Sequence, residues 1–364
     1  FGNYGYRNEM TRAGWKTART GMAKEVPTRH WHLNDPGVVP NLLLTGAGSP
    51  TGITVYEGNA LPKVFHGQLL HCDAGPSITR AYIKTPDGAG YRADVVNMLD
   101  GNRDRWFRPS DVKVAPDGSV LVADWYDPGV GGHQMRDLSR GRIFRITRKG
   151  ASPRYATPKF DFSTASGAVE ALKNPNYAVR HMAWTSLHGM GAAAEPALVK
   201  LWQSDIPHER ARALWLLGKI PGRGQTYVDV ASQDKDPQIR IVAIRLARQL
   251  QDVDTMAVVA SLAKDISPQV RRECAIALRG MEHSEKAEVW ATLAELHDGK
   301  DRWYLEALGI GAHQDWNDCL SAWLDRVNDP WKTAAGRDII WRSRGEETPE
   351  YLLRIVADPG TPAE

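Results

Sequence analysis

One order of local signals occurs twice in the first 150 residues, and it commits that half of the chain to antiparallel sheet. In residues 105–146, Asp111 to Val114 alternates polar and apolar side chains, as a half-buried strand does. Pro116-Asp117-Gly118 supplies a tight turn, because glycine tolerates the positive φ that such a turn needs. Ser119 to Asp124 returns as a second strand rich in Val, and Arg142 to Ile146 alternates again as a third. The order recurs upstream. Pro50–Val55 lines up with Pro109–Val114, Leu69–Asp73 with Val120–Asp124, and Ser77–Ile83 with Gly141–Ile146. The offset is about 60 residues, in the range of large β-propeller blades with loop insertions.

Topology then decides which loops share a face. In an up-and-down meander, the loop entering the first strand and the loop leaving the second lie at one end. Trp106-Phe107-Arg108-Pro109 therefore converges with Tyr126 to Asp137, and Gly48 to Thr51 joins Asp73 to Pro76. The Pro116-Asp117-Gly118 turn is expected at the far end, inert. The segment Trp125–Arg140 is too long for a turn and has no periodicity, which marks functional or disordered loops. The candidate ligand-binding residues are Arg108, Ser110, Asp124, Tyr126, Asp127, Arg136, Thr51 and Asp73. The arginines are permanent cations suited to a two-pronged grip on carboxylate or phosphate. His133, flanked by Gly131 and Gly132, is the candidate catalytic base, since an imidazole titrates near neutrality. A plainer reading stands beside this one. Asp124 caps a strand end, Trp125 and Tyr126 pack between blades, and His133 is a solvated loop residue.

Downstream the period changes. From Gly167 the chain reads as helices with a repeat of about 30 residues. Arg180, Arg210, Arg240 and Arg271 mark successive units. Three positions later come Ala183, Ala213, Ala243 and Cys274, all small; seven positions later come Leu187, Leu217, Ala247 and Leu278. These spacings fall on one helix face, and the small position lets neighbouring helices approach. Asp236-Pro237 and Ser267-Pro268 place a capping residue before a proline at the first helical position, and Asn174-Pro175 reads as the same device. Five or six such units make a HEAT-like α-solenoid. The arginine at the fixed position reads as a structural ladder, paired with an acidic residue of the next repeat.

The fold class is thus multidomain, β then α. Residues 1–150 are expected to form the C-terminal blades of a β-propeller, 151–166 a linker rich in Pro, Lys and small residues, and 167–364 helical repeats. Lys and Arg exceed Asp and Glu by only three, so no basic stripe is implied and nucleic acid is excluded as a partner. The three cysteines form no CxxC pair, so no zinc or haem attachment is expected in this segment, and no metal site is assigned. No membrane span or signal peptide is visible. Two blades would leave inter-blade faces open, so the chain is expected to be one part of a longer polypeptide.

Several long motifs carry a resemblance. GAGSPTGITVYEG, GQLLHCDAGPSITRAY, DRWFRPSDVKVAPDG, ADWYDPGVGGHQMRD and GRIFRI resemble the PVC-type haem-binding family, also called membrane-bound dehydrogenase-like proteins. RARALWLLGKI, QVRRECAIALR and GKDRWYLEALGIGA continue it. The resemblance covers nearly the whole chain. It implies a glucose/sorbosone-dehydrogenase-type propeller followed by HEAT repeats, in an exported or periplasmic redox protein. It implies oxidation of a sugar or polyol, with electrons passed to a cytochrome c domain outside this segment. Haem c would sit on that further domain; pyrroloquinoline quinone and calcium are the cofactors of soluble sugar dehydrogenases of similar fold. No position here matches the quinone-binding motif of those enzymes. The second function class is a non-catalytic glycan- or protein-binding scaffold, with a protein partner on the solenoid.

Overall fold

A computed structural model describes residues 36–45, 48–128, 139–152 and 154–362. Two antiparallel sheets come first and a series of helices follows. The chain divides into two compact units. One holds residues 42–85 and 91–220; the other, among the described residues, holds 36–41, 86–90 and 221–362.

The first unit contains both sheets except for the hairpin tip at residues 86–90. The first sheet runs in the order β1 (Pro50–Val55), β2 (Leu69–Asp73), β3 (Ile78–Asp87) and β4 (Gly90–Asp100). The second runs β5 (Pro109–Val114), β6 (Val120–Asp124) and β7 (Arg142–Ile146). Spatial order equals chain order, which is the meander expected from the sequence. Strand β5 starts two residues earlier than its alternation suggests, and β4 goes beyond the sequence reading altogether. The residues of β4 are mostly exposed, so it lacks the buried alternation that announces a strand. Both first strands carry a register shift at the same place, between Pro50 and Ile53 in β1 and between Pro109 and Asp111 in β5. Such bulges bend a strand and re-aim its side chains. Beside one of them, Gly52 lets β1 and β5 approach: a Cβ there would lie 2.1 Å from Asp111 Oδ1. The inner faces bury Tyr56, Leu70, Val112, Val120 and Val122 completely. Each buried Val or Leu stabilises the packed sheets by about 1.5–3 kcal/mol.

The far-end turn is not idle. Gly118 takes φ +82°, and Asp117 Oδ1 accepts from the Ser119 amide at 3.0 Å and hydroxyl at 2.6 Å. Helices α1 (Ala165–Leu172), α2 (Tyr177–Met190), α3 (Glu195–Trp202) and α4 (Pro207–Leu217) belong to this same unit, with α1 packed on α2 and α3 on α4. The Asn174 amide donates to the Pro116 carbonyl at 3.0 Å, and the Asn176 amide donates to the Val114 carbonyl at 2.7 Å. These bonds fasten the start of α2 to the β5–β6 turn, which is therefore an anchor. They also correct the expected cap. Asn176, not Asn174, accepts from the Val179 N–H and starts the helix, because Asn174 is occupied with the turn and with the Asn176 N–H.

The second unit contains α5 (Gly224–Ser232), α6 (Pro237–Ala247), α7 (Thr255–Leu262), α8 (Pro268–Ala277) and α9 (Lys286–Ala294). It continues with α10 (Arg302–Gly311), α11 (Trp316–Leu324), α12 (Ala334–Arg342) and α13 (Thr348–Ala357). Helices α6, α8 and α10 lie side by side, and the small residues Ala243 and Cys274 are fully buried along that row. Asp236 caps α6 through the Gln238 N–H at 2.8 Å, whereas Ser267 holds the capping position of α8 without a side-chain bond. The expected arginine ladder is realised at Arg240, which grips Asp265 of the next repeat at 2.6 and 2.7 Å. Arg271 instead turns back to the Asp265 carbonyl at 2.7 Å. No helix of the described residues is long and apolar enough to cross a membrane.

Candidate functional site

Of the residues expected at the sheet rim, those the structure describes lie near one another. Asp124, at the end of β6, is 4 % exposed. Its Oδ1 accepts from the Arg108 N–H at 2.8 Å and the Tyr126 N–H at 2.9 Å, and its Oδ2 accepts from Arg142 Nε at 2.8 Å. Tyr126 sits at φ +59°, its ring 5.4 Å from Trp106 and under the Arg142 guanidinium at 4.5 Å. Asp127 is buried, and its N–H donates to the Trp106 carbonyl at 2.9 Å. Arg108 donates to the Ser77 hydroxyl and to the Pro128 carbonyl at 3.2 Å. Thr51 donates to the Pro109 carbonyl at 2.8 Å, Ser110 to the Ala123 carbonyl at 3.3 Å, and Asp73 accepts from the Ser49 N–H at 2.7 Å. Most of these bonds end on backbone, and two of them, Arg108–Ser77 and Thr51–Pro109, join the sheets. The described part of the rim works as a fastener. His133 and Arg136 lie outside the described residues.

A different cluster forms at the opposite end of the same sheets, where the sequence reading expected nothing. Tyr56, directly after β1, is fully buried; its hydroxyl donates to the Gly118 carbonyl at 2.9 Å and accepts from the Leu61 N–H at 2.8 Å. This lock sets the next residue, Glu57, against two helices. Arg180 of α2 and Arg212 of α4 both bond Glu57 Oε2, the latter at 2.8 Å. Arg212 Nη1 also donates to the Leu172 carbonyl at 2.9 Å, at the end of α1. The three charged side chains are each at least 84 % buried, being 12–16 % exposed. They line an open-sided cavity of about 450 Å³ together with Tyr177, His181, Trp184, His208, Ala211 and Trp215. That volume, with aromatic and ionised side chains next to each other, suits a small polar organic ligand.

Electrostatics fix the protonation states. Burial pushes the Glu57 carboxyl up, but Arg212 and Arg180 together outweigh it, so its pKa ends below the ordinary value. Burial, reinforced by Arg212, pushes the His208 imidazole down, so it is neutral at neutral pH. Burial also lowers Arg212, against the pull of Glu57, and a guanidinium still keeps its charge there. A depressed carboxylate stabilises the fold above its unfolded pKa, and that contribution disappears as pH falls through the folded value. Urea midpoints of the wild type should therefore fall between the ordinary Glu value of 4.5 and the lower folded value. Glu57→Gln should lower the midpoint at pH 7 and show a shallower loss across that window. Equal slopes in both proteins would contradict the assignment.

Elsewhere the described residues offer little chemistry. No group of three or more His, Cys, Asp or Glu side chains among them is placed to hold a metal ion. All three cysteines are free and buried. Burial pushes the Cys72 thiol up to about 11 and the Cys319 thiol up to about 12, and raises Cys274 as well. None is a thiolate nucleophile at neutral pH.

Residues 8–150 match the model of a family described as a domain of unknown function (DUF7133). The match spans both sheets and so includes Glu57, while Arg180 and Arg212 lie beyond it. A comparison with curated proteins gives no match.

Proposed function

We propose that this chain is a non-catalytic carbohydrate-binding scaffold, built from propeller blades and HEAT-like repeats, within an exported redox protein of the dehydrogenase-like kind its motifs resemble. The observation that carries this reading is the cavity at Glu57, Arg180 and Arg212. A sugar or polyol presents apolar C–H faces and a ring of hydroxyls. Trp184 and Trp215 supply flat apolar walls, and the ion-paired groups supply donors and an acceptor for hydroxyls. Glu57 is a poor proton acceptor, because two guanidiniums hold its carboxylate ionised and occupied. In this reading the electron chemistry belongs to a cytochrome c domain outside the segment, and the scaffold holds the sugar near it.

The test is titration calorimetry of the whole chain with glucose and sorbitol, beside tryptophan fluorescence. Saturable binding with a fluorescence change is expected, and Trp215→Ala should weaken it about tenfold, the loss of roughly 1.4 kcal/mol of contact. Absence of saturable binding for a panel of sugars and polyols at millimolar concentration would remove the reading.

A further inference from the structure

We infer that the preferred ligand of this cavity is an acidic sugar, an aldonate or uronate, whose carboxylate seats on the open edge of Arg180. The inference rests on the carbohydrate reading above and narrows it.

The first argument is hydrogen-bond supply. Arg212 is tied at both ends, Nη1 to the Leu172 carbonyl and Nη2 to Glu57. Arg180 is not. Its guanidinium makes one hydrogen bond to the protein among the described residues, from Nη1 to Glu57. Its Nε and Nη2 N–H groups have no protein partner among those residues. The guanidinium lies over the Tyr177 ring, 4.4 Å from its centroid. A fixed guanidinium with two adjacent donors free is the shape that takes a carboxylate through two parallel bonds.

The second argument is charge. The lining carries two guanidiniums against one carboxylate, a surplus of one positive charge in a mostly buried setting. A single carboxylate neutralises that surplus. A phosphate monoester, with close to two negative charges at neutral pH, would overshoot it. The aromatic walls then hold the sugar ring while the guanidinium holds the acid, so ring and carboxylate are recognised by different parts of the cavity.

The experiment is a set of titrations on the whole chain at physiological salt with glucuronate, gluconate, glucose and glucose 6-phosphate. At least one of the two acids should bind about tenfold tighter than glucose, the effect of a two-pronged charged contact. In Arg180→Lys, which keeps the charge but loses the fork, that preference should shrink below about threefold. Equal affinity for acids and glucose would overturn the inference and leave the carbohydrate reading standing. Tightest binding of glucose 6-phosphate would overturn the carboxylate assignment. An undiminished acid preference in Arg180→Lys would overturn the role of Arg180. No binding of any of the four would end both readings. The wild-type comparison decides the matter even if the variant folds poorly.

Discussion

Asp124→Ala should be among the most damaging single changes in the sheet unit, costing about 2–5 kcal/mol through two amides left without an acceptor. The carboxylate has no exposed side-chain surface and pairs with Arg142 at 2.6 Å while accepting two backbone N–H bonds. Removing it leaves the Arg108 and Tyr126 amides without their acceptor, while Arg142, over a third exposed, keeps its bond to Asp104 at 2.8 Å. In a unit of this size the loss corresponds to a melting temperature lower by roughly 4–20 °C. Asp73, its counterpart in the first sheet, makes one described hydrogen bond, to the Ser49 N–H, and Asp73→Ala should cost about 1–3 kcal/mol. Calorimetric melting of the two variants checks both the size and the order. Equal losses would contradict the view that Asp124 is the fastener of the rim.

Glu306→Ala should have a similar effect in the helical unit. Glu306 is 1 % exposed. Its Oε1 accepts from the Gly37 N–H at 3.1 Å and from Arg302 Nε at 2.7 Å, and its Oε2 accepts from Arg342 Nε at 2.6 Å. The variant leaves Arg342, only 11 % exposed along its side chain, as an uncompensated buried charge. A loss of about 3–5 kcal/mol is expected. The paired replacement Glu306→Leu with Arg342→Leu should recover most of it, because apolar side chains of similar volume avoid the desolvation cost of both ions. Urea melts of the single and double variants separate the two effects. A double variant as unstable as the single one would show that the network stabilises by more than mutual compensation.

The strands were legible where one face is buried and the other wet. Val112 and Val114 alternate with Asp111 and Lys113, and the structure buries both valines. Strand β4 escaped because its side chains are exposed on most positions, although Pro86-Asp87-Gly88 repeats the turn signal of Pro116-Asp117-Gly118. Among the helix starts, Asp236 was readable from its proline neighbour, while Asn174 misled because a distant turn claims its amide. The meander rule brought Arg108, Asp124 and Tyr126 to one place, since that follows from strand order alone. It could not say that their bonds would end on backbone. The cavity was out of reach for a different reason. Glu57 meets Arg180 across 123 residues and Arg212 across 155, and no local pattern encodes such a pairing. Arg180 read as one more repeat marker. The one usable sign was Arg212, an arginine off the repeating position.

Amide hydrogen exchange of the whole chain, with and without saturating glucuronate, distinguishes ligand at Glu57, Arg180 and Arg212 from ligand at the Asp124 rim. Slower exchange in segments 177–184 and 208–215 with residues 106–127 unchanged is the predicted result. Protection confined to 106–127, with both helical segments unchanged, would contradict it.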